Sequence, residues 1–513
     1  MKKLNRLLYS NKFFAFLMLL VQLIVFVAMF IWISDYSKAL IGFTTILSAV
    51  LIIFEINRSS EPTFKMTWIL LIAIIPVFGA LFYLFTRTRG VARNIKEDYN
   101  RVKEINSKYL VQDKEILKNI SLTDKREESF ARYLSKYGGS PVYTNTSVQY
   151  YPNGERMFED IKRELLKAEK FIFMEFFIIN YADSMWTEIL DILRQKARQG
   201  VEVKLMYDGM GCVATLPRNY NETLEHYGIQ CRVFSPIMPL LSTHQNNRDH
   251  RKIIVIDGVT AFCGGINLAD EYINQKKRFG YWKDTGFMAH GDAAAGFTAM
   301  FLEMWSVNDG DGKMPDGGRY INSSKAYSAD ADGYIIPFGD TPLDEVYVGK
   351  RAYIHNLDNA SDYVYIMTPY LVLDDEMYES MKYASQRGVD VKIILPHIPD
   401  KAYAFYLART YYKELLKVGV EIYEYTPGFV HAKMSVSDGT RAIVGTINHD
   451  YRSLYLHYEC AAYMMNVPAI IDIEHDFNDT LKLSQKITMD DVKRFNIFTR
   501  IIGHIMRLVA PLI

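Results

Sequence analysis

Two short stretches of this sequence carry side chains suited to the same chemistry. His250-Arg-Lys252-Ile-Ile-Val-Ile-Asp257 and His431-Ala-Lys433-Met-Ser-Val-Ser-Asp438 both read H-x-K-x-x-x-x-D. Each is followed by a glycine and an asparagine, Gly264 and Asn267 or Gly445 and Asn448, and all five matched positions lie 181 residues apart. A gapless match of this kind points to a functional duplication rather than coincidence. Asp257-Gly258 and Asp438-Gly439 favour a two-residue hairpin turn, which puts His and Lys on the strand before it, on one face and about 6.5 Å apart. Pairing across such a turn sets His250 opposite Gly265 and His431 opposite Thr446, small residues that leave room for a substrate. Asn267 and Asn448 lie two residues further along that face.

Each half thus offers an imidazole, an ammonium and an amide, which suits an anionic phosphodiester. Lys252, Lys433, Asn267 and Asn448 are expected to bind the non-bridging oxygens and stabilise the charge added at five-coordinate phosphorus, work that metals do in many phosphoryl enzymes. One of His250 and His431 attacks phosphorus and the other protonates the leaving alkoxide, then serves as base toward the incoming alcohol. That exchange of roles requires both copies. Asp257 and Asp438 belong to the catalytic motif by position, and a turn role is as open for them as a chemical one. No metal or other cofactor is called for.

The elements that must hold these groups also come in two copies. Lys170–Phe177 and Tyr363–Tyr370 read as buried strands. Each is followed by an amphipathic helical stretch ending in glycine and by a second strand, Gly200–Met206 or Gly388–Ile394, and then a third, Gln230–Phe234 or Val420–Glu424. Two similar α/β domains packed together follow.

Composition narrows the partners. The 59 basic and 59 acidic residues among 513 cancel, and no basic stripe interleaved with aromatics appears, which speaks against nucleic acid as partner. The four cysteines form neither C-x-x-C pairs nor a metal-ligand spacing, so neither a disulfide framework nor a zinc site is indicated. The N-terminal part is different in kind. Apolar segments at 13–34, 39–54 and 66–86 predict membrane helices; the first is ~33 Å long as a helix, and the second, at ~24 Å, is marginal for a span. Arg87, Arg89, Arg93 and Lys96 follow the third and place the rest of the chain in the cytoplasm, although Lys2, Lys3, Arg6 and Lys12 ask for the same side. At the other end, between Val492 and Ile513, Phe495, Phe498, Ile501, Ile502, Ile505, Leu508, Val509 and Leu512 recur at helical spacing opposite Arg500, His504 and Arg507. This predicts a basic amphipathic helix on the inner membrane surface, with a core helix capping the second domain as the alternative.

The duplicated motif with its downstream Gly and Asn resembles the phospholipase D superfamily, over roughly Tyr143 to Met489. The narrower resemblance is to bacterial cardiolipin synthases and runs end to end, including Ile75-Pro-Val-Phe-Gly79, Thr368-Pro-Tyr370, Asn448-His-Asp-Tyr-Arg-Ser453 and Arg507-Leu-Val-Ala-Pro-Leu-Ile513. It implies an α/β fold of two tandem phospholipase D-like domains packed as a pseudo-dimer and preceded by transmembrane helices. It implies a phosphatidyltransferase, a multi-pass protein of the cell membrane acting on phosphatidylglycerol and other anionic phospholipids, possible as an oligomer; hydrolysis, or transfer to another alcohol, is the alternative. It also implies that a carboxylate some thirty residues beyond each His bonds that imidazole, with Asp284 and Glu459 as candidates 175 residues apart, and that His250 is the nucleophile. Gly265 stands where the superfamily often has Ser. The expected organisation is a membrane anchor at 1–90, a charged connector at 91–136, phospholipase D-like domains at 137–325 and 326–490, and the C-terminal amphipathic helix at 491–513.

Overall fold

The structure, a computed structural model, describes residues 38–58, 61–86, 90–235, 246–307, 317–323 and 331–512. In the first half, β1 (Thr146–Tyr151), β2 (Phe171–Phe176), β3 (Glu202–Asp208), β4 (Gln230–Phe234), β5 (Lys252–Ile256), β6 (Thr260–Gly264) and β7 (Gly286–Gly291) form one sheet in the order β1-β7-β6-β5-β2-β3-β4. β2 is buried along its whole length, as its apolar and aromatic run, interrupted by Glu175, requires of a central strand. It runs parallel to β3, with Phe171 against Glu202, and antiparallel to β5, with Phe176 against Lys252.

The second half repeats this plan. β8 (Tyr334–Asp340), β9 (Tyr363–Met367), β10 (Asp390–Pro396), β11 (Glu421–Tyr425), β12 (Met434–Ser437), β13 (Arg441–Gly445), β14 (His457–Met465) and β15 (Ser484–Lys486) run in the order β8-β14-β13-β12-β9-β10-β11-β15. The two sheets face a common core. Phe173, Ile253 and Phe287 of the first half share one apolar cluster with Met434, Ala462 and Phe477 of the second, and each half keeps a further cluster on its outer side.

The N-terminal segments differ from three spanning helices. Segment 13–34 lies outside the described residues, and 39–54 falls within α1 (Lys38–Ile56). Segment 66–86 is broken into α2 (Pro62–Ile74) and α3 (Pro76–Thr86), of 13 and 11 residues. Pro76 has no amide to donate and pushes the preceding residue out of the helical region; Ile75 accordingly adopts φ −128°, ψ 72°. The pieces are ~20 and ~17 Å long against a hydrocarbon layer of ~30 Å. Among the described residues no helix is long and apolar enough to cross a membrane. α2 instead anchors on the second half: Phe64 packs edge-on against Tyr451 and Tyr455, and the Thr67 hydroxyl donates to the Leu508 carbonyl at 3.2 Å.

Two helices of the second half matter below. α4 (Ala402–Lys417) carries α5 (Ile497–Val509), which Asn496 caps through the Phe498 amide. The buried Gly503 sits so near the Tyr406 carbonyl that a Cβ there would clash, and the Arg507 guanidinium lies 4.3 Å over the Tyr411 ring. The opposite face, Phe498, Ile501, Ile502, Ile505 and Leu508, is exposed.

Candidate active site

The two motif histidines meet because each half lends a strand to the other. Arg248–Asp249, just before His250, pairs in parallel with His457–Tyr458 at the start of β14, and the His250 amide donates to the Tyr458 carbonyl at 2.9 Å. Gly428–Val430, just before His431, pairs in parallel with Tyr281–Lys283, and the His431 amide donates to the Lys283 carbonyl at 2.7 Å. The residue after each pairing is then a carboxylate. His250 Nδ1 lies 2.8 Å from Glu459 Oε1, and His431 Nδ1 lies 2.7 Å from Asp284 Oδ2. This corrects the pairing expected above: Asp284 does not bond the histidine of its own half but that of the other, and Glu459 likewise. A carboxylate on Nδ1 places that proton there and leaves Nε2 for the substrate.

All these groups are buried, and burial governs their protonation. It drives His250 well below the ordinary imidazole range, with Lys252 and His457 adding to the effect. His431 is brought down to about 4 by burial and Lys433, against the opposing pull of Asp284. Burial acts to raise the Asp284 carboxyl, but His431 and Lys433 outweigh it and the net shift is downward, so Asp284 is a carboxylate. Its oxygens also accept from the Trp282 indole at 3.3 Å and the Thr285 amide at 2.9 Å. Glu459 is pushed well up by burial, with Lys252 and the Thr446 hydroxyl pulling the other way. Burial lowers Lys252 and takes Lys433 to about 7. Each ammonium donates to the carbonyl of the histidine two residues before it, Lys252 to His250 at 2.6 Å and Lys433 to His431.

Other expected members of the site sit differently. Asp257 and Asp438 are turn residues. With φ of 53° and 52°, followed by Gly258 and Gly439 at 69° and 63°, they form turns closed by the Val259 amide on Ile256 and the Thr440 amide on Ser437. The Asp257 carboxylate accepts from the amides of Glu169, Lys170 and Phe171, and that of Asp438 from Ser361, Asp362 and Tyr363, so both tie the turn to the neighbouring strand.

Val259 and Thr440 each add one residue to the loop, so Ile256 pairs with Thr260 and Ser437 with Arg441. The register is thus one residue off the expected one. Gly265 and Thr446 consequently serve the carboxylates rather than leaving room beside the imidazoles. A Cβ at Gly265 would collide with Asp284 Oδ1, and the Thr446 hydroxyl donates to Glu459. The Asn267 amide is spoken for at both ends: its oxygen accepts from the Ile178 amide at 3.0 Å and its nitrogen donates to the Tyr272 hydroxyl at 2.7 Å. Asn448 Oδ1 is buried with no hydrogen-bond partner among the described residues.

One histidine of the pocket was missed. His457, buried on β14, lies with its ring 5.6 Å from that of His250, and Arg452 Nε donates to its Nε2 at 3.2 Å. The signal was its place two residues before Glu459 on a strand, hence on the same face. The ligand atoms of His250, His457 and Glu459 lie within 4.8 Å of one another, as a metal site requires. Lys252 and Arg452 in the same pocket would repel a cation, so the donor set suits an anion better.

Comparison with known proteins adds independent findings. Residues 161–305 and 353–481, more than half of the chain, match a family described as cardiolipin synthase, phospholipase D-like domain, and residues 44–87 match one described as phospholipase D-nuclease N-terminal. An uncharacterized protein of Streptococcus mutans is 49% identical over 462 residues, which is 90% of this chain and 99% of that one. A cardiolipin synthase of Alkalihalophilus pseudofirmus is 31% identical over 488 residues, 94% of this chain and 95% of that one. The crystal structure of a phosphatidylserine synthase from Haemophilus influenzae superposes with a TM-score of 0.54 at 14% identity, covering 76% of this chain and 98% of that one, a likeness of fold.

Proposed function

The chain belongs to the cardiolipin synthase family built on phospholipase D-like domains, and from that premise we propose that it is a phosphatidyltransferase joining two phosphatidylglycerol molecules into cardiolipin with release of glycerol. The observation that carries this reading is the crossed exchange of carboxylates, Glu459 to His250 and Asp284 to His431, which prepares two imidazoles for one phosphorus. One Nε2 attacks phosphorus and the bond to glycerol breaks, while the other imidazole gives its proton to the departing oxygen. That second imidazole then takes the proton of a hydroxyl on the incoming lipid, whose oxygen displaces the first histidine. Both imidazoles are neutral in the empty pocket, and the bound phosphodiester anion favours the protonated form that the acid needs. Lys252, Lys433 and the Asn448 amide hold the non-bridging oxygens in a buried setting where such donors act strongly. Asn267 acts at one remove, fixing Tyr272, whose ring lies 5.5 Å from that of His431.

We place the enzyme at the cytoplasmic face of the cell membrane. The support is the exposed apolar face of α5 together with Phe43, Ile46, Val50 and Ile53 on α1 and Met66, Leu70 and Ile74 on α2, a surface of side chains that water does not favour. Incubating the purified protein with phosphatidylglycerol and separating the lipid products tests the proposal. Cardiolipin with stoichiometric glycerol is expected; phosphatidic acid as the only product would make the enzyme a hydrolase.

A further inference from the structure

The two imidazoles have unlike surroundings. His431 is walled by the rings of Tyr272, Trp282 and Phe429, 5.5, 5.2 and 5.8 Å away. His250 faces Phe177 at 5.1 Å and, beyond it, the imidazole of His457. Because His457 Nε2 accepts from Arg452, a neutral His457 carries its proton on Nδ1. His457 is 9% exposed, and this N–H has no hydrogen-bond partner among the described residues; Glu459 Oε1 lies 3.9 Å away. A buried donor left unpaired is costly, so its retention beside the reacting centre points to a ligand that completes it.

Arg452 leads outward from there. It lines a cleft together with Lys401, Tyr370, Tyr403, Asp450 and Ala510. Lys401, at the start of α4, holds its ammonium 5.0 Å over the Tyr370 ring, and Asp450 accepts from the Ser453 amide at 2.9 Å. Ala510 belongs to the turn that ends α5, so the mouth of the cleft adjoins the exposed apolar face of that helix. Two cations, one carboxylate and an apolar rim match the head of an anionic glycerophospholipid, which brings one phosphate charge, hydroxyl donors and acyl chains.

We propose that this cleft is the subsite for the acceptor lipid, its phosphodiester held by Lys401, Arg452 and the Nδ1–H of His457, so that the alcohol oxygens exchanged at phosphorus lie on the His250 side. The inference rests on the phosphatidyltransferase reading and adds to it the reason for an anionic acceptor. Displacement at phosphorus is in line, so the histidine that bonds phosphorus must stand opposite the alcohol. His431 Nε2 therefore forms the covalent bond as the glycerol–phosphorus bond breaks, and His250 gives its Nε2 proton to the leaving glycerol oxygen. His250 then takes the proton of the acceptor hydroxyl, whose oxygen replaces His431 on phosphorus. This reverses the assignment that the family resemblance implies.

A phosphatidyl nitrophenol donor, whose leaving group needs no proton, separates the steps. With this donor, apparent KM is measured for phosphatidylglycerol, an anionic acceptor, and for glycerol, a neutral one. Lys401→Gln, at an exposed position, should raise KM for phosphatidylglycerol roughly three- to five-fold, the value of one partly solvated charge contact, and move KM for glycerol less than two-fold. His457→Asn should raise the first roughly ten-fold or more and lower the ratio of cardiolipin to phosphatidic acid. In the His250→Ala enzyme, mass spectrometry should find the phosphatidyl group on His431. Equal changes for both acceptors in the Lys401 variant, or an adduct on His250 in the His431→Ala enzyme, would overturn the subsite while leaving the transferase reading intact. Wild-type enzyme that transfers to neither acceptor would refute both.

Discussion

The crossed pairing makes Asp284 a more informative residue to change than either histidine, because its substitution must be felt in the other half of the chain. Asp284→Asn keeps the volume and one oxygen for the His431 Nδ1–H but removes the charge. Bonds to a charged partner contribute about 1.5–3 kcal/mol and neutral ones about 0.5–1.5, a difference of roughly 1–2 kcal/mol. At about 1.4 kcal/mol per decade this is a loss of roughly 5- to 30-fold in kcat whenever His431 carries positive character in the transition state. The loss should exceed the lower bound. Asp284 oxygens accept from three donors, His431, Trp282 and Thr285, and an amide has only one oxygen for them. Turnover of phosphatidylglycerol by the purified variant gives the rate, and NMR titration of labelled histidines gives the location. Since Asp284 raises His431 toward its value of about 4, the variant's His431 should titrate lower still, with His250 unmoved. A displaced His250 titration, or a loss under about three-fold, would refute the crossed arrangement as the working one.

The Lys433 ammonium, at about 7, should lose its charge as pH rises through neutrality, so kcat/KM is expected to fall above about pH 7. Lys433→Arg, which keeps its charge, should move that fall upward by more than one pH unit even with slower turnover. Gly265→Ala should cost at least ten-fold in kcat with little change in the thermal transition, because the new Cβ displaces the Asp284 carboxylate without opening the core. Ile501→Lys with Ile505→Lys should weaken sedimentation with anionic vesicles while leaving turnover of a short-chain, soluble donor within two-fold, as both side chains are exposed on α5. Dialysis against a chelator should leave turnover unchanged; activity lost and then restored by a divalent ion would contradict the role given to Lys252 and Lys433.

Much of the site was legible because it is local. The Asp-Gly turn and the offset of 181 residues are properties of short stretches, and the structure keeps both, whereas His250 stands just before β5, and His431 and Lys433 just before β12, rather than on those strands. The carboxylates' partners were not legible, since strand exchange between halves is a tertiary event. Their offset of 175 signalled a different setting from the motif without saying which. The one-residue register error came from Val259 and Thr440, which the turn dipeptide alone does not announce. At the N-terminus, hydropathy registered the apolar content of 66–86, whereas the shape was decided by one missing amide at Pro76. His457 stands two residues before Glu459 and has no counterpart in the first half, where Trp282 stands two residues before Asp284.

That lack of a counterpart bears on what fusion of two copies permits. A symmetric pair of separate half-proteins would have to use one sequence for both sides of its pocket, so any change suited to the departing alcohol would be imposed on the other side as well. Joined in one chain, the halves drift apart where the chemistry differs. Here Asp284 answers to Glu459, Gly265 to Thr446, and the aromatic wall at His431 to the polar one at His250. Each half still depends on a carboxylate it does not encode, so neither can lose its contribution without disabling its sibling. The duplicated gene is thereby held to partnership while its two copies are released from resemblance.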